Sequence, residues 1–461
     1  MGKMIKRQTI KRTMSVTLAL SLLVSLFAVS GAEKVSAEKK SEDKGMVSMS
    51  MDETLGSENG FLLADQSSAA KIYIDIGHEE FSEGSGHEFC GVQIIADTFA
   101  GDVEMVTGTR PEVIYDSGSM SGNMIIAGTE GMNDVIYALE AGGVIDTSGL
   151  YKDGELKWDC YQMQFVSGAD MAKCGYNGIS RALVIVGSNK RGTMYGMFNI
   201  SDHIGVPAWV YMADAVPEKY SKVYLDSKLL EFNNGAMHLS KEPSIKYRGL
   251  FINDESPSFT GWANGKFGGL NEDCYKNVFE LLIRMKANYM WPAMWGNIFS
   301  EEGKSFKLAN VVLADAYGVC MGTSHHEACC RAGEEWQRTY RQYGNSNAWD
   351  YAANEAAIHK FWQGGIERNG PYESTITMGM RGEADSALSG GVQYNIDILK
   401  RIITDQHGII DTYKAEHPDS KINDALKIYI PYSENEEFYY GLMTEALKDS
   451  MCGMAWKTSR S

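Results

Sequence analysis

Three carboxylic acids close apolar runs in the second half of the chain: Asp254 in LFINDE, Glu383 in TITMGMRGE and Glu434 in KIYIPYSE. A run that merely meets solvent can end in Gly, Ser or Lys. Here the acids stand behind an amide (Asn253), an arginine (Arg381) and a tyrosine (Tyr432). Two carboxyl groups flanking a glycosidic bond can split it. One protonates the leaving oxygen, while the other activates water or attacks the anomeric carbon. Aromatic and imidazole groups fall at the same kind of place, with Trp295 closing NYMWPAMW and His325-His326 closing GVCMGTSHH. Indole presents an apolar face to a sugar ring, and amide, imidazole and phenol groups bond its hydroxyls.

Other chemistries are less well supplied. Adjacent residues of an extended backbone point to opposite sides, so His325 and His326 are not expected to chelate one ion. The H-E-x-x-H spacing and paired Cys/His sets are absent, so neither a metal nor a cofactor is expected. GSNKRGTMYG is Gly-rich and basic but lacks G-x-x-x-x-G-K-[ST]. That leaves Lys190 and Arg191 either to meet a substrate carboxylate or to cap a surface turn. Eight cysteines, two of them adjacent at Cys329-Cys330, do not make a disulfide scaffold in 461 residues.

Something must hold these side chains together, and the rhythm of the chain says what. From residue 235 onward, KYRGLFIND, NYMWPAMW, GVCMGTSHH, STITMGMRGE and ALKIYIPYSE read as strands, and each is followed by a helical stretch. In DCYKNVFELLIRMKA, Val278, Leu281, Leu282 and Met285 recur at helical spacing. Five alternations of strand and helix are the pattern of a parallel sheet with crossover helices. All the candidate residues sit at C-terminal strand ends, which is how a (β/α) barrel collects one rim. The fold class is α/β. An N-terminal α/β domain (70–234) is expected before a (β/α)8-type (TIM) barrel of about five βα units, incomplete in this chain (235–442), then a divergent tail (443–461).

Residues 38–69 are polar and aperiodic and are expected to form a linker. Ahead of them, Lys3, Lys6, Arg7, Lys11 and Arg12 precede the apolar Met14–Val29, with small-residue cleavage sites at Ala32 and Ala37. Residues 1–37 therefore read as a cleaved signal peptide rather than a retained anchor, and the protein is expected to be secreted. Against 43 Lys and Arg stand 60 Asp and Glu, a formal charge of −17. No basic stretch interrupts this background, so nucleic acid is not an expected partner, nor is a membrane after signal cleavage. The sequence leaves a homo-oligomer open.

YRGLFINDE, VFELLIRMKANYMWPAMW, LADAYGVCMGTSHHE, TITMGMRGE and PYSENEEFYYGL together resemble glycoside hydrolase family 115, the xylan α-1,2-glucuronidases. The likeness runs in order over about residues 70 to 442 and takes in ALVIVGSNKRGTMYGMFNISDHIGV. It implies inverting release of glucuronic or 4-O-methylglucuronic acid from glucuronoxylan. It also implies a general acid at Glu434 and a water-activating base at Glu383 or Asp254; from their own chemistry and position, Asn253, Trp295, His325, His326, Arg381, Tyr432, Lys190 and Arg191 are the expected substrate-binding residues. Glu383 stands where the family has Asp, and Ser433 where it has Lys. The chain also departs from the family after residue 442, so the resemblance leaves a non-catalytic carbohydrate-binding role open.

Overall fold

Short β-rich runs form strands here wherever a neighbouring strand can satisfy their amides. β1 (Lys71–Ile74), β2 (Val113–Ile114), β3 (Gly122–Thr129), β4 (Tyr161–Ser167), β5 (Ile179–Gly187) and β6 (Met237–Leu239) form one sheet in the order β6-β4-β5-β3-β1-β2. β5, β3, β1 and β2 are mutually parallel, and β4 pairs antiparallel with both β5 and β6. Helices α1 (Gly91–Thr107), α2 (Asp134–Ala141) and α3 (Lys190–His203) make the connections. In α1, Val92, Ile95, Ala96, Phe99 and Val103 repeat at helical spacing and are all buried. The Asn133 side chain caps α2, and that of Asn189 caps α3. The glycines of GSNKRG let strand and helix meet at this turn. A Cβ on Gly187 would lie 2.0 Å from the Thr193 amide nitrogen, and one on Gly192 would lie 1.9 Å from the Cys160 carbonyl oxygen. They serve close packing.

The structure, a computed structural model, describes residues 53–232, 237–253, 256–382, 386, 388–431 and 451–452. The segment expected as a signal peptide lies outside the described residues. No described helix is long and apolar enough to cross a membrane.

The second series of strands is parallel throughout. β7 (Gly249–Phe251), β8 (Tyr289–Trp291) and β9 (Cys320–Met321) form one set, and β10 (Ile376–Met378), β11 (Lys427–Tyr429) and β12 (Met451–Cys452) form another. A parallel bridge from Met321 to Ser374 joins the sets, so all six strands follow one another in sequence order. Between successive strands lie α4 (Glu272–Arg284), α5 (Ala309–Ala316), α6 (Tyr351–Asn369) and α7 (Val392–Glu416), the crossovers that parallel pairing requires.

Three sequence expectations are corrected here. The tail 443–461 contributes a sixth strand, with Met451 and Cys452 opposite Ile428 and Tyr429. Two residues are too few for periodicity to register. The linker 38–69 contains a strand, Phe61–Asp65, paired antiparallel with Lys222–Leu225, and its Phe61, Leu63 and Ala64 are buried. Its partner lies far downstream, so no local pattern announces it. The first sheet also continues past residue 234, through β6.

Packing does not stop between the two strand systems. One apolar core runs from Phe61, Ile185 and Met194 to Phe279, Val312 and Met321, and a second gathers Trp336, Phe361, Trp362 and Ile402 around α6 and α7. Charges follow the apolar contact. The buried Asp159 carboxylate accepts from Arg191 (2.7 Å), Asn288 (2.9 Å), Asn189 (3.0 Å) and Arg248 (3.0 Å). Two of these donors precede β7 and β8, and two belong to the start of α3. Burial pushes the Asp159 carboxyl up, but the Arg191 charge and these bonds hold it below the usual carboxylate range.

Candidate functional site

At their C-terminal ends, β8, β9 and β10 run into loops that enclose a cavity of about 450 Å³. Trp295, His326 and Glu327 line it, with Gly382 and Trp349 opposite. Helix Gly333–Thr339 adds Gly333, Glu334 and Gln337. That helix is held from beneath by a buried cluster. Arg331 pairs with Glu335, Arg368 meets Glu335 at 2.7 Å and Glu301 at 3.0 Å, and the Arg331 Nη2 donates to the Tyr343 hydroxyl at 2.8 Å.

The structure thus brings together several residues expected from the sequence. Trp295 is partly exposed, and its ring meets that of His326 edge-on at 5.1 Å. The rings of His325 and His326 lie 4.2 Å apart. This corrects the expectation of opposite sides, because the two residues occupy a turn and not an extended strand. Arg381 is buried just past β10, and its carbonyl accepts from the Trp349 Nε1 at 2.9 Å. Asn253 is exposed two residues beyond β7. Asp254, Glu383, Tyr432 and Glu434 lie outside the described residues. The strands that lead to them, β7, β10 and β11, belong to the parallel series whose C-terminal ends border the cavity.

Lys190 and Arg191 are elsewhere, which corrects both of their expected roles. Their side chains are buried among Glu80 (2.9 Å from Lys190), Asp159 and Glu373 (2.7 and 2.6 Å from Arg191). Glu373 precedes β10, so these cations serve the N-terminal end of the strands, opposite the cavity. Buried arginines pair with carboxylates at low cost only when several hydrogen bonds are made, as here. The basic run was visible in the sequence, but its buried acids come from distant positions.

Two cavity residues were missed. Glu327 is nearly fully buried, and its Oε2 accepts from the Ser324 amide (3.1 Å) and hydroxyl (3.3 Å). Burial pushes its carboxyl up to about 7, against those two bonds. It is a described acid of the cavity that can hold a proton near neutrality. Trp349 follows the turn-rich GNSNA, a break inside the helical stretch expected after GVCMGTSHH. Its ring is fixed edge-on against Phe361 and Trp362.

Among the described residues, Asp75, His78 and Asp134 have ligand atoms within 4.8 Å of one another, where the chain leaves β1 and where α2 begins, and none of them lines the cavity. The Asp75 carboxylate there already pairs with His78 at 3.0 Å and accepts from the Asp134 amide at 2.9 Å.

Residues 240–451 match the model of a family described as glycosyl hydrolase family 115. Among solved structures the chain is similar to one described as a novel family GH115 4-O-methyl-alpha-glucuronidase, BtGH115A, with specificity for decorated arabinogalactans. That likeness has a TM-score of 0.62 and 26% identity, and covers 83% of this chain and 44% of that one. The chain therefore spans less than half the length of that protein. Another, described as a GH138 enzyme targeting pectin rhamnogalacturonan II, gives a TM-score of 0.42 at 9% identity over 84% of this chain and 38% of that one. No match is found among curated proteins.

Proposed function

We propose, on the premise that the chain belongs to glycoside hydrolase family 115 through residues 240–451, that it removes glucuronic or 4-O-methylglucuronic acid from glycan side chains. The observation that carries this reading is the cavity of Trp295, His326, Glu327 and Trp349 at the C-terminal ends of a parallel strand series within the matched residues. Six strands in sequence order support a (β/α)-barrel section, with the rim where such barrels place their sites. Glu434 serves as general acid and Glu383 or Asp254 as the base. An inverting enzyme holds the two carboxyl groups about 6.5–9.5 Å apart, leaving room for water between base and sugar. Arg381 supplies the charge that a uronate carboxylate requires, and the N-terminal signal directs the protein out of the cell.

Glucuronoxylan is the proposed substrate, and the arabinogalactan specificity of the similar structure names the alternative backbone. Both are tested by incubating the purified chain with each polysaccharide and measuring released uronic acid by anion-exchange chromatography. Proton NMR of the first-formed anomer reads the stereochemistry. Release from xylan as the inverted anomer is expected. A folded chain that releases nothing from either glycan would overturn the reading.

A further inference from the structure

A second cavity, of about 460 Å³, adjoins the first and shares Asn347, Trp349 and Gly382 with it. Each is separately within the range of about 300–1,000 Å³ that ligand sites occupy. Trp349 is the partition. Its indole nitrogen is bonded to the Arg381 carbonyl and its ring is wedged against Phe361 and Trp362, so it presents a fixed edge to both sides. Across from it stands Tyr394, at the start of α7, with its side chain about half exposed. Gly390 makes a seat for that ring: a Cβ at this position would lie 2.4 Å from the Tyr394 Cδ1. Asn395 ties the seat to the helix by donating to the Leu388 carbonyl at 3.0 Å. The ring is therefore set in position before any ligand arrives.

The rest of the lining is chemically mild. Ser389 and Asn347 offer a hydroxyl and an amide. The carboxylate of Asp350 is engaged in capping α6, accepting from the Ala352 amide at 2.9 Å. Aromatic faces with neutral hydrogen-bonding groups suit an uncharged pyranose, whose axial C–H bonds make an apolar face and whose hydroxyls bond amides. Neither cavity has a lysine or arginine among the described residues that line it; the first carries the carboxylates of Glu327 and Glu334, and the second only that of Asp350, which its helix already engages.

We propose that this second cavity is a subsite for the neutral main-chain sugars of the glycan, with Tyr394 as stacking platform and Trp349 as the wall between main chain and side-chain sugar. The assignment rests on the uronate reading of the first cavity. It adds that affinity for the polymer is set on the far side of Trp349.

Isothermal titration calorimetry tests it with three probes: 4-O-methylglucuronic acid, a neutral β-1,4-xylo-oligosaccharide and a neutral galacto-oligosaccharide. Tyr394→Ala should weaken binding of a neutral oligosaccharide about 5- to 10-fold, and Tyr394→Phe should restore it. Neither should change binding of the free uronic acid, whereas Trp295→Ala should weaken that alone. Response to the xylo- or the galacto-oligosaccharide identifies the backbone. If the wild-type chain binds the uronic acid but Tyr394→Ala leaves both oligosaccharides within twofold, the subsite is refuted and the first cavity stands. Equal loss in Tyr394→Phe would refute stacking. If the wild type binds none of the probes, both assignments fall.

Discussion

Asp159→Asn removes one negative charge from the point where the two strand systems meet, at nearly constant volume. The native carboxylate accepts four side-chain hydrogen bonds, two of them from Arg191 and Arg248. An amide keeps one oxygen but turns an NH₂ toward a guanidinium. A hydrogen bond to a charged group contributes about 1.5–3 kcal/mol, and breaking a buried ion pair costs about 3–5 kcal/mol. Arg191 retains Glu373 at 2.6 Å, which limits the loss to the lower part of that range, about 3–4 kcal/mol. Against a total of about 5–15 kcal/mol, this is a large fraction. Urea titration monitored in parallel by tryptophan fluorescence and far-ultraviolet circular dichroism measures it. Because the apolar core is continuous across the junction, both probes should shift together to lower urea. The native carboxyl is held below its ordinary pKa, so its contribution is present above the unfolded value of about 3.9 and is lost as pH falls through the folded one. The wild-type advantage over Asp159→Asn should therefore shrink in acid. A shift below about 1 kcal/mol, or two separate transitions of which one moves, would refute the reasoning.

Other outcomes follow from the same structure. Glu327 has its carboxyl raised to about 7, so between about 4.5 and 7 the native state holds a proton that the unfolded chain has released, and stability falls as pH rises through that window. Glu327→Gln should flatten that fall by roughly 3 kcal/mol between pH 5 and 8, seen as a smaller change in melting temperature; an unchanged slope would show that Glu327 does not hold the proton. Phe279→Ala, at a fully buried ring stacked on Tyr275, edge-on to Phe299 and tilted against Tyr317, should cost about 3–5 kcal/mol in the same urea assay. Arg381→Lys should raise KM for a uronate substrate about tenfold with kcat less affected, the loss of one bidentate contact. Equal KM would remove Arg381 from the site.

The places of β7 to β11 were legible because each is an apolar run stopped by polar residues, and that contrast survives without knowledge of partners. Helix α4 was legible through Val278, Leu281 and Leu282, all buried, yet Met285 at the same spacing is exposed just beyond the helix. A helical stripe has an end, and periodicity alone does not mark it. Trp295 and His326 fall beside one cavity because strand ends collect at one edge. Glu327 was seen only as part of the TSHHE ending, since its significance is burial, which depends on the loop folding back over it. Lys190 and Arg191 misled for the same reason. Their meaning lies in Glu80, Asp159 and Glu373, which no local pattern connects to them.

Glu80, Lys190, Asp315 and Lys421 form a ring of two acids and two amines. Lys190–Glu80 and Lys421–Glu80 contacts of 2.9 and 2.6 Å and a Lys421–Asp315 contact of 2.7 Å join it, and Lys190–Asp315 at 3.8 Å closes it. The three shorter contacts span 110, 341 and 106 positions along the chain. In genetic terms the ring links the substitution histories of distant codons. A charge lost at one position leaves a surplus that the other three must absorb. Recombination with a relative at a breakpoint between residues 190 and 315 would pair acids with amines that never shared a background. Chimeras of that kind should lose stability where the two parents differ in charge at any of the four positions, and keep it where all four residues are the same in both.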